Sequence, residues 1–338
     1  MVTCQDRTRV PYDARMQPAS RISIGLGAGL GLTVVATRAA SAHGDLPAAP
    51  TFAGLVTTWS GELLVWLGVA VATGAYLVGV WIVNRAHPAT RVPKWRVAAW
   101  LAGIGVIVIA LGSAIDVYAD AIFSVHMVQH LLLAMVAPPL LAMGAPATIA
   151  LRAASPKVRR SVMLPVLHSR LARAVSWPPV AWIAFAVVMW ATHFSPLFNA
   201  ALENDGLHSL EHLLFLAAGL LFWWPVIGAD PMRWRLRPIP RMVYLAAQMP
   251  LNTAVGLAIY FAPTILYAHY ATIHRSWGPD PFTDQQIAGI VMWGAGDLIL
   301  LGALVLAVAT WLRADQRDSL RTEERARRSV DRATVETR

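Results

Sequence analysis

The chain has 338 residues, of which 57% are hydrophobic and 14% are charged, and its formal net charge is +9. A soluble domain carries about a quarter of charged residues, so this composition excludes an ordinary soluble protein and indicates one embedded in the lipid bilayer. The basic residues are spread through short loops between apolar runs, which favours membrane topology over nucleic-acid binding. The single cysteine, Cys4, excludes a disulfide framework and a Cys-x-x-Cys metal site.

The first 42 residues are typical of a secretory signal. Basic residues from Arg7 to Arg21 precede an apolar stretch over residues 22–36, and Ala40-Ser41-Ala42 matches a small-residue cleavage site. We predict a signal peptide over residues 1–42, with an uncleaved anchor helix as the alternative. Both interpretations make residues 43–59 an extracytoplasmic segment.

Seven apolar runs follow, and each is close to the ~20 residues that a helix needs to cross a bilayer. They cover residues 60–83, 97–115, 125–151, 179–195, 207–228, 242–267 and 286–312. The predicted fold class is therefore an all-α integral membrane protein, with about seven transmembrane helices after the N-terminal signal peptide or anchor helix. The membrane domain spans residues 60–312, and a charged tail follows over residues 313–338.

The loop charges predict the orientation, because loops rich in Arg and Lys stay in the cytoplasm. The loops 84–96, 152–178 and 229–241 contain four, six and four basic residues, and the tail 313–338 contains eight. The loops 116–124 and 196–206 contain none, and 268–285 contains only Arg275. We therefore predict a multi-pass protein of the cell membrane whose C-terminus is cytoplasmic and whose membrane domain begins outside.

Five histidines are predicted to gather at the extracytoplasmic side. His126 and His130 open the third span, and His208 and His212 open the fifth, so that each pair lies on one helix face. His193 lies at the outer end of the fourth span. Imidazole is the commonest metal ligand, and ionisable groups inside a membrane are usually functional. We predict that these residues bind a metal, although interhelical hydrogen bonding would also explain a single pair.

The identity of the metal stays open from the residues alone, because imidazole suits copper, zinc and iron alike. Glu211 completes the sequence His208-x-x-Glu-His212, an inverted zincin pattern, in which the carboxylate acts as a general base or only orients a histidine. Asp297 lies near the middle of the seventh span. It is predicted to pack against polar groups such as Gln248 or Asn252, with an ion path as the alternative.

Several motifs resemble one known family. They are FSVHMVQHLLLAMVAPPLLAMGAP over residues 123–146, THFSPLF over 192–198, EHLLF over 211–215, FWWP over 222–225 and DQQIAGIVMW over 284–293. Together they resemble the multi-spanning CtaG family of cytochrome c oxidase assembly factors, over roughly residues 55–312. That family is distinct from the single-span, cysteine-using copper donors that share its name.

The resemblance implies a non-enzymatic role in maturing a haem–copper oxidase, with copper bound at the outer face. The family's histidine motifs fall on His126, His130, His193 and His212, and its Asp-Gln signature falls on Asp284 and Gln285. Asp297 departs from the family pattern. The implied partners are haem–copper oxidase subunits and a copper chaperone, within a lipid bilayer and without nucleic acid. The alternatives are a copper transporter, a zinc-dependent membrane hydrolase with Glu211 as general base, and a b-type cytochrome with two histidines on haem.

Overall fold

The computed structural model describes residues 46–60 and 62–336, with side chains described up to residue 324. The predicted signal peptide or anchor over residues 1–42 lies outside the described residues. The main helices are α1 (Leu63–Ala86), α2 (Lys94–Gly112), α3 (Phe123–Leu131), α4 (Ala137–Met143), α5 (Pro146–Ala153), α6 (Pro178–His193), α7 (Pro196–Glu203), α8 (Asp205–Ile227), α9 (Pro238–Tyr260), α10 (Pro281–Ile290) and α11 (Gly296–Glu336).

Shorter helical segments connect these helices. They are Phe52–Thr57, Pro88–Thr90, Ala114–Ala119, Pro156–Val158, Leu164–Leu167, Arg170–Val175 and Ala268–Thr272, with π-helical turns at Leu132–Val136, Arg159–Met163 and Val291–Ala295. Within the described residues the only β-structure is an isolated bridge between Trp59 and Ser113. The all-α fold class is confirmed.

In the part of the chain that the structure describes, six helical segments are long and apolar enough to cross a bilayer. A seventh span is obtained when α6 and α7, which meet at an angle of 68°, are counted together. The number agrees with the predicted seven, and the bend explains why the fourth predicted span is the shortest. α6 ends at His193, and Pro196 begins the next helix in a new direction.

The sixth span is shorter than predicted. The apolar run extends to residue 267, but α9 ends at Tyr260. Beyond it, Gln285 binds the loop backbone: its Oε1 accepts a hydrogen bond from Leu266 N at 2.7 Å, and its Nε2 donates to Thr264 O at 3.1 Å. The residues after Tyr260 therefore form a loop at the end of α9, and hydropathy alone does not distinguish this loop from a helix.

The third span is interrupted just beyond its two histidines. A π-helical turn over Leu132–Val136 precedes α4, whose first turn contains Pro138. Proline has no N–H to donate to the preceding turn, so the regular hydrogen-bond ladder breaks here. Gly219 of α8 packs directly on the Ala134 carbonyl oxygen, where a Cβ atom would come closer than 3.0 Å. This close approach brings α8 against the π-turn that follows the histidine helix α3.

The seventh span contains the second membrane π-turn, and Asp297 follows it. Asn252 Nδ2 donates to Asp297 Oδ1 at 3.0 Å, and Thr253 Oγ1 donates to Oδ2 at 2.6 Å. The predicted partnership with Asn252 is confirmed. Gln248, the other residue considered, shows no hydrogen bond to Asp297 among the described residues. Both carboxylate oxygens are thus occupied by neighbouring side chains.

Candidate metal site

Five histidines and one glutamate form a single cluster at one end of the bundle. They are His126 and His130 on α3, His193 at the end of α6, and His208, Glu211 and His212 on α8. His208 is half-buried and the other five side chains are buried. All five histidines predicted from sequence therefore come together. The five buried members form the interior of the cluster, and His208 lies at its more exposed side, which we call the mouth of the site.

The spacing within and between helices shows how tightly the rings pack. Successive histidines on α3 and on α8 are four residues apart, so each pair occupies one helix face, with ring centroids 4.3 Å apart in both pairs. Between helices, the His126 and His208 centroids are 5.3 Å apart, and the His130 centroid lies 5.7 Å from His193 and 6.3 Å from His212. His130 is therefore the centre of the cluster.

Glu211 belongs to the same group of donor atoms. One ligand atom from each of His126, His130 and Glu211 lies within 4.8 Å of the others. From sequence this carboxylate was interpreted as a general base or as a group that orients a histidine. In the structure it is close enough to bind the same ion. Imidazole nitrogen with carboxylate oxygen is a donor set that suits copper(II), zinc and iron.

The hydrogen bonds of His126 determine which of its two ring nitrogens carries the proton. Tyr270 has one hydroxyl proton and donates it to Ala119 O at 2.9 Å. Its oxygen, 3.1 Å from His126 Nδ1, must then accept from that nitrogen. His126 Nε2 is left without a proton, 2.8 Å from His130 Nε2, from which it accepts. A cation that bound both Nε2 atoms would displace the proton between them.

The same reasoning applies to His193. Its Nδ1 lies 2.7 Å from Met189 O, and because a carbonyl oxygen only accepts, Nδ1 carries the proton. The other nitrogen, Nε2, is buried, has an unshared electron pair and has no hydrogen-bond partner. Metal-binding histidines in proteins are commonly fixed in this way, by a hydrogen bond from the ring nitrogen that does not bind the metal.

Several buried polar atoms of the cluster lack a hydrogen-bond partner, which is uncommon in protein interiors. Five lack a partner: His130 Nδ1, Glu211 Oε2, and the Nε2 atoms of His193, His208 and His212. Leaving a buried polar group unsatisfied costs about 1–3 kcal/mol. One cation could bind His126, His130 and Glu211, whose donor atoms lie within 4.8 Å of one another, while His193, His208 and His212 lie outside that group. The residues present therefore fit a metal ion.

Aromatic side chains enclose the cluster. Phe215 stacks on His130 with centroids 4.1 Å apart, and Phe198 lies 5.3 Å from His126 and 5.9 Å from His193. Tyr267 packs on Phe198 at 4.2 Å and donates to His193 O at 2.8 Å. This shell limits water access and keeps the local dielectric constant low, which strengthens binding of a cation to the free donors.

The mouth of the site is acidic. Burial raises the pKa of the Asp116 carboxyl to about 6; the hydrogen bond from Gln129 acts against the shift, and nearby Glu62 and Asp120 add to it. Like charges close enough to interact in this way produce a negative potential, and such a potential raises the local concentration of cations. The electrostatics thus favour entry of a cation at the same end as the histidines.

Asp284 holds the histidine helix in place. Its carboxylate accepts hydrogen bonds from the backbone N–H groups of Phe123 at 2.8 Å and Ser124 at 3.2 Å, and so caps the N-terminus of α3 from α10. Arg275 completes the arrangement with an ion pair at 3.2 Å, both side chains being buried. The Asp-Gln signature thus positions site elements: Asp284 caps α3, and Gln285 fixes the loop before the short helix of Tyr270.

Replacing Asp284 by alanine is expected to lower the free energy of unfolding by about 3–5 kcal/mol, because it leaves buried Arg275 without a partner and removes the cap of α3. Thermal and denaturant unfolding of the detergent-purified protein would measure the loss. The matched control is Asp280→Ala, which removes an exposed cap of α10. Equal losses for the two variants would show that the buried ion pair does not stabilise the protein.

The remaining described histidines lie outside the cluster. His269 Nε2 donates to Asp120 O at 2.9 Å, and His274 is exposed. His87 and His168 lie in exposed connections at the opposite end of the bundle. Of the residues that sequence reasoning did not connect with the site, Tyr270 has the most direct contact, because it hydrogen-bonds His126.

Comparison with known proteins agrees with this picture. The family model described as cytochrome c oxidase caa3 assembly factor (Caa3_CtaG) matches residues 74–314. Uncharacterized proteins of Mycobacterium bovis and Mycobacterium tuberculosis are each 32% identical over 290 residues, covering 83% of this chain and 43% of the relative. One of Mycobacterium leprae is 31% identical over 289 residues, covering 83% and 44%. The chain thus spans less than half the length of these relatives. No solved structure matches the chain significantly.

Proposed function

Because this chain belongs to the cytochrome c oxidase caa3 assembly factor family, we propose that it binds copper through its buried histidines and delivers it during oxidase maturation. Copper is the cargo of this protein. The observation that carries the proposal is the cluster itself, in which five imidazoles and one carboxylate converge and five of their polar atoms lack a partner. His126, His130, His193, His208, Glu211 and His212 are the proposed ligands.

The donor set suits a carrier that must also release its ion. The cluster offers six side chains, whereas copper or zinc in proteins commonly uses about four ligands. Surplus donors let one ligand replace another without leaving the ion bare. His208, which is half-buried at the mouth, is placed to be the first ligand that an entering copper ion meets and the last that it leaves. The deeper histidines hold the ion between these two steps.

The partners follow from the position of the cluster. On the topology predicted from loop charges, the histidine end faces the extracytoplasmic side. A haem–copper oxidase subunit with a copper centre near that face is the proposed acceptor, and a copper chaperone on the same side is the proposed donor. Transfer by exchange of ligands requires no catalytic residue in this chain, and the protein is proposed to act without enzymatic activity.

A copper transporter is the nearest alternative, with Asp297 as a second ion-binding site deeper in the membrane. Two features weigh against it. Both Asp297 oxygens already accept hydrogen bonds from Asn252 and Thr253, and the aromatic ring of Phe215 stacks on the innermost part of the cluster at His130. The b-type cytochrome alternative, with axial histidines from two helices, is also disfavoured, because Phe198 packs on His126 and Phe215 stacks on His130, where a macrocycle would have to lie.

Deleting the gene is expected to reduce the amount of assembled haem–copper oxidase in the membrane and the copper content of the oxidase that remains. Oxidase activity, haem absorption and copper per oxidase would be measured in parent and deletion strains, with and without added copper. Partial recovery with excess copper is expected, because the lost step is delivery. Normal, fully copper-loaded oxidase in the deletion strain would contradict a role in assembly.

A further inference from the structure

A cleft of about 800 Å³ opens at the end of the bundle opposite the histidine cluster. It lies where α6 and α9 begin, at Pro178 and Pro238, and tryptophans Trp177, Trp182 and Trp234 line it. Tryptophan prefers the level of the lipid headgroups, where its ring is in an apolar environment and its N–H is near polar acceptors. The cleft therefore lies at the boundary between headgroups and acyl chains.

The part of the cleft that extends into the bilayer is apolar and open to the outside. Ile183 and Val243 line it and are more than half exposed, and Ala247 lies one turn beyond Val243 on the same exposed side of α9. Aliphatic side chains at this depth face hydrocarbon. The groove that they form between two helices has the chemistry of an acyl-chain binding site.

The part of the cleft at the headgroup level is positively charged, and no acidic side chain neutralises that charge. Arg235 and Arg237 line the cleft, and the two ion pairs found among the described residues involve other arginines. The only acidic residue of this loop is Asp230, and its Oδ1 accepts hydrogen bonds from the backbone and side chain of Thr148. The guanidinium groups therefore have no carboxylate partner within the described protein.

Guanidinium groups bind phosphate oxygens through charge-assisted hydrogen bonds, so Arg235 and Arg237 are suited to a phosphate at this level of the cleft. A ligand that carries a phosphate next to two hydrocarbon chains would satisfy both the polar and the apolar part of the cleft.

We propose that this cleft binds an anionic phospholipid, with its phosphate against Arg235 and Arg237 and its acyl chains along Ile183 and Val243. Basic pockets between transmembrane helices are a recognised form of anionic-lipid site. On the predicted topology the lipid belongs to the cytoplasmic leaflet, which is the negatively charged one. The proposal concerns the opposite end of the bundle and does not depend on copper binding.

The test is native mass spectrometry of the full-length protein in detergent micelles that contain equal amounts of phosphatidylglycerol and phosphatidylcholine. The parent is expected to retain phosphatidylglycerol in preference to phosphatidylcholine. The double variant Arg235→Gln/Arg237→Gln should lower that preference at least about tenfold, whereas Arg91→Gln, an exposed arginine of another basic loop, should not change it. Excess inorganic phosphate should not displace the lipid, because phosphate lacks the chains that fill the groove.

A second variant tests the apolar part separately. Ala247→Trp is expected to fill the groove and abolish lipid adducts, while Ala258→Trp, at an exposed position farther along the same helix, should leave them unchanged. Elution in size-exclusion chromatography would confirm that all variants fold. The proposal is overturned by equal retention of the two lipids in the parent, by equal effects of a variant and its control, or by displacement with phosphate alone.

Discussion

Replacing His126 or His212 by alanine is expected to weaken copper binding at least about tenfold, which corresponds to about 1.4 kcal/mol. The two residues belong to different helices, and loss of either removes one imidazole from the set that binds the ion. In addition, His126 Nδ1 donates a hydrogen bond to Tyr270, so its Nε2 has no proton and can bind a metal ion. The measurement is copper content and affinity of the detergent-purified variants, with competition by a chelator of known affinity.

The double variant should lose little more than either single variant, because residues that bind one ion act as a unit and their effects are not additive. His87→Ala and His168→Ala, at the opposite end of the bundle, are matched controls and should bind copper like the parent. The His126 and His212 variants should also lower assembled oxidase without lowering their own abundance in the membrane. Parental copper binding in both single variants would show that the histidines are structural hydrogen-bonding groups, and additive losses would show that the two helices do not share one ion.

Replacing Glu211 by glutamine is expected to weaken binding of copper(II) by about 10- to 100-fold, the range found when a supporting group of a metal site is lost. Glutamine keeps the size of the side chain and removes the carboxylate group that lies beside His126 and His130. Copper(I) prefers softer donors than carboxylate, so its affinity should fall less. Titration of the variant with each oxidation state separates the two effects.

The matched control for this variant is Glu203→Gln, at the exposed end of α7. It removes a charge from the same end of the bundle without touching the cluster. If Glu211→Gln and Glu203→Gln lower copper(II) affinity equally, the effect comes from the general negative potential of the mouth. A ligand role for Glu211 requires the larger loss to be confined to its own variant.

Sequence patterns predicted the membrane helices and the gathering of the histidines because both follow from local rules. Hydropathy marks a segment that must cross lipid, and spacing of four residues places His126 with His130 and His208 with His212 on helix faces. The orientation of the bundle stays a prediction from loop charges. Identity of the bound metal is likewise not fixed by pattern, since imidazole accepts several ions.

The features that sequence reasoning did not find depend on contacts between distant segments. Tyr270 reaches His126 across 144 positions of the chain, and Asp284 caps α3 across 161. One signal for the second contact was available. Arg275 is the only basic residue of its predicted outer loop, and an arginine that departs from the charge rule is a candidate for a buried ion pair. Pro138 is visible in the sequence beside the break of the third span, but the π-helical turn over Leu132–Val136 has no comparable signal.

The most direct test of the copper-carrier function is metal analysis combined with X-ray absorption spectroscopy of the detergent-purified protein after copper loading. We expect copper bound in stoichiometric amount, with a coordination shell of nitrogen and oxygen that shows the multiple scattering of imidazole and no sulfur, because the ligands are histidines and Glu211. A protein that binds no copper, or copper in a sulfur-containing shell, would contradict the assignment of the histidine cluster as the copper site.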